Sequence, residues 1–129
     1  MNYLVDTHLL IWAADHNPKL SFEAEAELAN PRNNLWFSVI SLWEMTLKRS
    51  MNRKTFAYDA GQMRSGFLAS GYQELAVESK HVLGLANMPT IHTDPFDRLL
   101  LAQAISEGLI FLTADRQMAG YGNDVKIVR

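Results

Sequence analysis

The chain has 129 residues, of which 48% are hydrophobic and 20% charged, with a formal net charge of −2 and no cysteine. This fits one domain spanning 1–129 that buries roughly two-thirds of its unfolded surface, and it excludes disulfides, thiolate metal sites and cysteine nucleophiles. No apolar run approaches the ~18 residues of a membrane span, and near-neutral charge argues against an all-over coat for nucleic acid while leaving room for a local basic patch.

The opening stretch Met1-Asn2-Tyr3-Leu4-Val5-Asp6 has no basic leader, so a cytoplasmic protein without a signal peptide is expected. Residues 3–5 read as a short strand stopped by Asp6-Thr7, and 9–14 as a buried helix. Ser21 is placed as the N-cap of an amphipathic Glu/Ala helix over 22–30 that halts before Pro31. A strand is predicted over 35–39 and a helix over 40–49, with Ile40, Trp43 and Leu47 on one face. Helical spacing recurs over 56–70, with Gly61, Gly66 and Gly71 nearby. A strand is expected over 72–77 and a short capped helix over 79–86. Asp94-Pro95 opens a strong helix through Glu107, with Gly108 as its C′ residue. A buried-strand run over 109–113 and a last strand over 125–128 complete the pattern. Short apolar strands alternating with helices predict an α/β fold with a central, mainly parallel sheet covered on both faces. In such sheets the crevice lies beyond the carboxyl ends of the strands.

That rule directs attention to Asp6, which follows the first strand, and Asp115, which follows the strand ending near Thr113. Glu44 lies in the helix after the 35–39 strand, and Asp94 and Asp97 open the helix before the 109–113 strand. Clustered carboxylates repel: at ~6 Å and an effective dielectric near 20, each ionised pair costs about 3 kcal/mol. Protonation or a bound cation relieves this, and hard oxygen ligands without cysteine favour Mg²⁺ or Mn²⁺. Such an ion keeps several waters, which suits a phosphate substrate and an activated nucleophilic water. Each acid also has a local explanation. Asp94 before Pro95 is a natural N-cap, Asp97 meets the helix dipole, Asp115 can cap 116–119, Glu44 can sit on a solvated face, and Asp6 can cap a turn or helix.

The segments Leu4-Val5-Asp6-Thr7-His8-Leu9-Leu10-Ile11-Trp12, Ser38-Val39-Ile40-Ser41-Leu42-Trp43-Glu44-Met45, His92-Thr93-Asp94-Pro95-Phe96-Asp97-Arg98-Leu99-Leu100-Leu101-Ala102-Gln103-Ala104 and Leu112-Thr113-Ala114-Asp115 together resemble the PIN-domain family. More narrowly, they are similar to VapC-type toxins of toxin–antitoxin systems. The resemblance implies a three-layer α/β/α fold and a Mg²⁺- or Mn²⁺-dependent endoribonuclease, neutralised by a VapB-type antitoxin and commonly homodimeric. It carries the family's acidic set onto Asp6, Glu44, Asp97 and Asp115, with Asp6 and Asp97 as direct ligands and Glu44 and Asp115 acting directly or through water. Thr7, Ser41 and Thr113 match its small hydroxyl positions, and Asp94 matches an additional aspartate for which a capping role is favoured. The stretch 51–77 matches loosely.

The reaction expected is hydrolysis of an RNA phosphodiester that leaves a 5′-phosphate and a 3′-hydroxyl, with no covalent nucleophile. His8 and His92 are read as packing or hydrogen-bonding residues. Lys48, Arg49, Arg53 and Lys54 form a basic cluster, and Arg98 and Arg116 each follow a candidate acid, so these side chains are placed against RNA phosphates. A solvated helix end explains Lys48 and Arg49 as well, and an ion pair or a carboxylate-orienting role is open to Arg98. Trp12, Trp36, Phe37, Trp43 and Phe96 are assigned to core packing ahead of base stacking. The apolar content of Phe56, Tyr58, Met63, Phe67 and Leu68 suits either core burial or a dimer contact. A catalytically silent module that binds RNA or protein is the competing reading. A phosphatase or receiver domain fits less well: a second Asp two residues after Asp6 is replaced by His8, and neither paired acids near the first strand nor a late Lys after a strand is evident.

Overall fold

The structure, a computed structural model, describes residues 1–51, 58–92 and 94–129. Arg53, Lys54, Phe56 and Thr93 lie outside the described residues.

The described strands are β1 (Asn2–Val5), β2 (Asn34–Ser38), β3 (Gln73–Leu75), β4 (Ile110–Thr113) and β5 (Val125–Ile127). They form one sheet in the order β3-β2-β1-β4-β5, and every pairing is parallel. The connections run outward from β1 through β2 to β3, then restart on its other side with β4 and β5. The switch point therefore falls between β1 and β4, where the crevice of an open parallel sheet opens.

Side chains alternate across the sheet as the pleat requires. Tyr3, Val5, Phe37 and Leu112 face one core, shared with Leu9 and Leu10 of α1 (Thr7–Ala14), Ala24 of α2 (Phe22–Ala29) and Phe67 of α4 (Ala60–Ala69). Leu4 and Phe111 face the other, against Leu100, Leu101 and Ala104 of α6 (Pro95–Glu107). The helix α5 (Ser79–Gly84) packs on α6, and α3 (Val39–Met51) bridges both layers, giving Ile40 to one core and Met45 to the other. This is the expected α/β/α arrangement.

Helix ends follow local chemistry. Ser21 Oγ accepts the Ala24 N–H at 3.1 Å to start α2. The Asp94 carboxylate accepts the Phe96 and Asp97 N–H groups at 2.9 and 3.4 Å, with Pro95 next to it, and opens α6. Gly108, at φ 68°, closes α6 in the left-handed region where a side chain is strained. Several boundaries differ from expectation, and the described part of the helix expected over 56–70 spans Ala60–Ala69. The helix expected over 9–14 begins at Thr7, directly after β1. The edge strand β3 covers three residues instead of 72–77, because it pairs with β2 alone. The helix expected over 79–86 ends at Gly84 and tightens into a 3-10 turn over Leu85–Asn87.

Candidate active site

The site is assembled where parallel strands hand over to helices. Asp6 is the single residue between β1 and α1. Its N–H donates to the Leu112 carbonyl at 2.9 Å, which carries the β1–β4 pairing one step further and brings the carboxylate beside Thr113. Thr113 Oγ1 donates to Asp6 Oδ2 at 3.0 Å and accepts the Asp115 N–H at 3.1 Å. Asp6 and Thr113 are both buried.

The helix α3 leaves the carboxyl end of β2 and runs back over the sheet. Its buried face is Ile40, Ser41, Glu44 and Met45. The expected inward trio of Ile40, Trp43 and Leu47 is corrected here: Trp43 is 55% exposed and lies edge-on to Phe96 with centroids 4.7 Å apart, and Leu47 is 36% exposed. A buried hydrogen bond of 2.8 Å between Thr7 Oγ1 and Ser41 Oγ sets this rotation, because residues three and four apart share a helix face and Glu44 turns inward with Ser41. Thr7 and Ser41 bond each other rather than an acid. Glu44 is 1% exposed, and Lys48 one turn later donates to its Oε2 at 2.6 Å. Lys48 is therefore an ion-pair partner of the cluster, not merely a solvated helix end.

Because α6 leads into β4 and runs antiparallel to it, its first turn lies at the same edge. Asp97 sits there, buried. Asp115 follows β4; its Oδ1 accepts the Gln117 N–H at 3.0 Å, capping a 3-10 stretch over Arg116–Asp124, and its Oδ2 meets His92 Nε2 at 2.8 Å. The same His92 nitrogen is 3.2 Å from Asp97 Oδ2. His92, expected to pack or hydrogen-bond, does hydrogen-bond, and its partner is one of the acids. A lone histidine just upstream of an Asp-Pro helix start carries no periodic signal that would place it there.

Electrostatics tie the four acids together. Burial raises the Asp6 carboxyl from 3.8 to about 7; the charges of Glu44 and Asp115 push the same way, while the Thr113 hydroxyl and the His8 amide oppose. Asp97 is raised from 3.8 to about 7, first by burial and then by Asp6, Asp94 and Glu44, with His92 opposing. Asp94 spends its side chain on the α6 cap.

Two buried carboxylate oxygens, Asp6 Oδ1 and Glu44 Oε1, have no hydrogen-bond partner. Buried acceptors left bare at a cluster of raised carboxyls are what a hard cation satisfies. Asp97 and Asp115 bring carboxylate oxygens within 4.8 Å of each other, beside His92. The residues present thus fit a divalent ion.

Of the basic residues, Arg49 pairs with Asp59 at 3.1 Å on the surface. Arg98 is partly buried with its Nε unpartnered, and Arg116 is exposed beside Asp115. Phe37 is fully buried and Trp12, Trp36 and Phe96 are partly buried against the cores, as core packing requires. Tyr58 and Met63 are partly buried against the α1 and α2 core, and Leu68 is 41% exposed.

An all-parallel α/β sheet with an acid-lined, cation-seeking crevice at its switch point is the class that this fold and site define. The chain belongs to the PIN domain family, whose model matches residues 3–123. No curated protein matches the sequence significantly. Among solved structures, the fold is similar to a chain of VapBC2 from Rickettsia felis bound to a promoter DNA fragment, with a TM-score of 0.69, 19% identity, and 99% of this chain and 98% of that one covered. It is also similar to a chain of VapBC-1 from nontypeable Haemophilus influenzae (TM-score 0.62, 16% identity, 99% and 97% covered). A toxin–antitoxin complex from Klebsiella pneumoniae matches with a TM-score of 0.62 and 20% identity over 96% of this chain and 95% of that one. No helix among the described residues is long and apolar enough to cross a membrane.

Proposed function

We propose that the chain is a Mg²⁺- or Mn²⁺-dependent endoribonuclease, the VapC-type toxin of a toxin–antitoxin pair, held in check by a VapB-type antitoxin and working as a homodimer in the cytoplasm. The observation that carries this reading is the pair of bare, buried oxygens on Asp6 and Glu44, set among carboxyls that burial and mutual repulsion have raised. The similar solved structures are toxin–antitoxin assemblies, which supports the partner.

In this reading Asp6, Glu44, Asp97 and Asp115 hold the cation, with Asp6 and Asp97 as the principal ligands. When bound, the ion supplies positive charge that acidifies water and neutralises the phosphate. Thr113 holds Asp6 Oδ2, leaving Oδ1 available as the oxygen that would hold the cation. Lys48 donates to Glu44 Oε2 and holds that side chain in place, and Arg116, with Arg98 and Arg49, contacts phosphates on either side of the scissile bond. Cleavage leaves a 5′-phosphate and a 3′-hydroxyl, and no side chain forms a covalent intermediate.

The test is cleavage of RNA by the purified chain with Mg²⁺ or Mn²⁺, against Asp6→Asn and Asp97→Asn. Loss of roughly 100-fold or more in both variants is expected, since even outer-shell changes at metal sites cost ~10–100-fold. Wild-type cleavage by both variants refutes the assignment, and metal-independent binding of RNA without cleavage by the wild type favours a silent binding module.

A further inference from the structure

We infer that His92 is a positioning residue that holds Asp115 through Nε2–H, with Asp97 against the same nitrogen, and does not itself ligate the cation. This rests on the proposed metal site and assigns one of its neighbours a role.

The argument starts from the ring's other nitrogen. His92 Nδ1 accepts the Asp94 backbone N–H at 3.3 Å. An imidazole nitrogen that accepts a hydrogen bond carries no proton, so the neutral ring has its hydrogen on Nε2. That N–H meets Asp115 Oδ2 at 2.8 Å, and Asp97 Oδ2, from a different part of the chain, lies 3.2 Å from the same nitrogen. A metal on Nε2 requires the proton to move to Nδ1, where it faces the Asp94 N–H, donor against donor. The ring is also held from behind. The Tyr121 hydroxyl accepts the backbone N–H groups of Ile91 and His92 at 3.2 and 3.1 Å, and His92 is 7% exposed. With Asp115 Oδ2 bonded and Asp97 Oδ2 against the same nitrogen, the ring sets the separation of the two acids while Asp115 Oδ1 serves another partner in capping Gln117. Metal centres commonly depend on such outer contacts for the orientation of their ligands.

Mn²⁺ titration of the metal-free chain, read by the electron paramagnetic resonance of the free ion, tests this without reference to cleavage. His92→Ala is expected to weaken Mn²⁺ binding ~10–100-fold, whereas His92→Gln, which keeps an N–H donor, stays within roughly threefold of wild type. Tyr121→Phe, which releases the amide behind the ring and leaves the cluster intact, is expected to weaken it by a few-fold. The nitrogen couplings of bound Mn²⁺ should show no directly coordinated imidazole. Directly bound imidazole nitrogen, wild-type affinity in His92→Ala, or equal losses in the Ala and Gln variants overturns the clamp while leaving the metal site standing, provided Asp97→Asn still loses affinity. Absence of Mn²⁺ binding by the wild type, or wild-type binding by Asp6→Asn and Asp97→Asn, overturns both.

Discussion

Thr113 and Asp6 meet through a 3.0 Å hydrogen bond although they stand on different strands, and the same hydroxyl receives the Asp115 amide. One oxygen therefore couples the ends of β1 and β4 to the two acids that follow them. Thr113→Val keeps the shape and deletes the bond, leaving Asp6 Oδ2 without its donor. The variant should lose roughly 1–3 kcal/mol of stability by chemical denaturation. Because the hydroxyl lowers the Asp6 pKa, the carboxyl should titrate above about 7 in the variant, as read by carboxyl NMR. An unchanged titration curve counts against this coupling.

Asp6 and Asp97 make the metal-free chain sensitive to alkali rather than acid. Both rise from 3.8 to about 7 on folding, so the folded state holds these protons more tightly than the unfolded one. Their contribution to stability is complete below about pH 4 and is lost as pH climbs through about 7. Thermal melts in chelator should show that loss between those values. Asp6→Asn should flatten the slope and exceed wild type at pH 8 by roughly 2–4 kcal/mol. A wild-type slope of opposite sign across this window, retained in the variant, contradicts the assignment.

In the proposed site a divalent cation would replace those protons. Mg²⁺ or Mn²⁺ should raise the melting temperature, more at pH 8 than at pH 5, because protons compete for the same oxygens. At a metal concentration of 100 Kd the expected gain is about 2.7 kcal/mol. Calorimetry in a series of buffers should also detect proton release on binding, and Asp97→Asn should reduce both effects.

Lys48 supplies the ammonium that faces buried Glu44. Lys48→Met should cost roughly 1–2 kcal/mol in chelator at pH 8. That is less than the 3–5 kcal/mol lost from a fully buried pair, because the lysine side chain is 41% exposed and screened. Saturating Mn²⁺ should recover part of the loss by providing Glu44 with another positive partner. Equal losses with and without metal disconnect Glu44 from the cation.

The features legible from sequence were those with a one-residue cause. Pro95 after Asp94 and Gly108 at positive φ bound α6 as expected, and the apolar run Leu109 to Thr113 contains β4. The gathering of Asp6, Glu44, Asp97 and Asp115 followed from the rule about strand exits, together with the family resemblance. The rotation of α3 was not legible, since counting apolar residues pointed Trp43 inward. The actual face is chosen by two hydroxyls, Thr7 and Ser41, far apart in sequence, and it buries the Glu44 carboxyl in place of an indole. His92 was obscured for the same reason. Its importance lies in two partners, Asp97 and Asp115, that only the folded chain brings within reach. The buried link from Ser38 Oγ to Gln103 Oε1, 2.5 Å long, was equally silent, although it ties the start of α3 to α6.

Of the described strands, the middle one is made first and completed only when the fourth arrives. β1 emerges from the ribosome before either neighbour exists, and it must wait for β2 and then for β4. Pairings so distant along the chain are rewarded only after the whole intervening loop has been closed. A nascent polypeptide stalled before Thr113 holds Asp6 without its donor and without Asp115, so no truncated product carries the assembled centre. Translation itself thereby delays assembly of the acidic cluster until the strand beside Asp6 has been delivered.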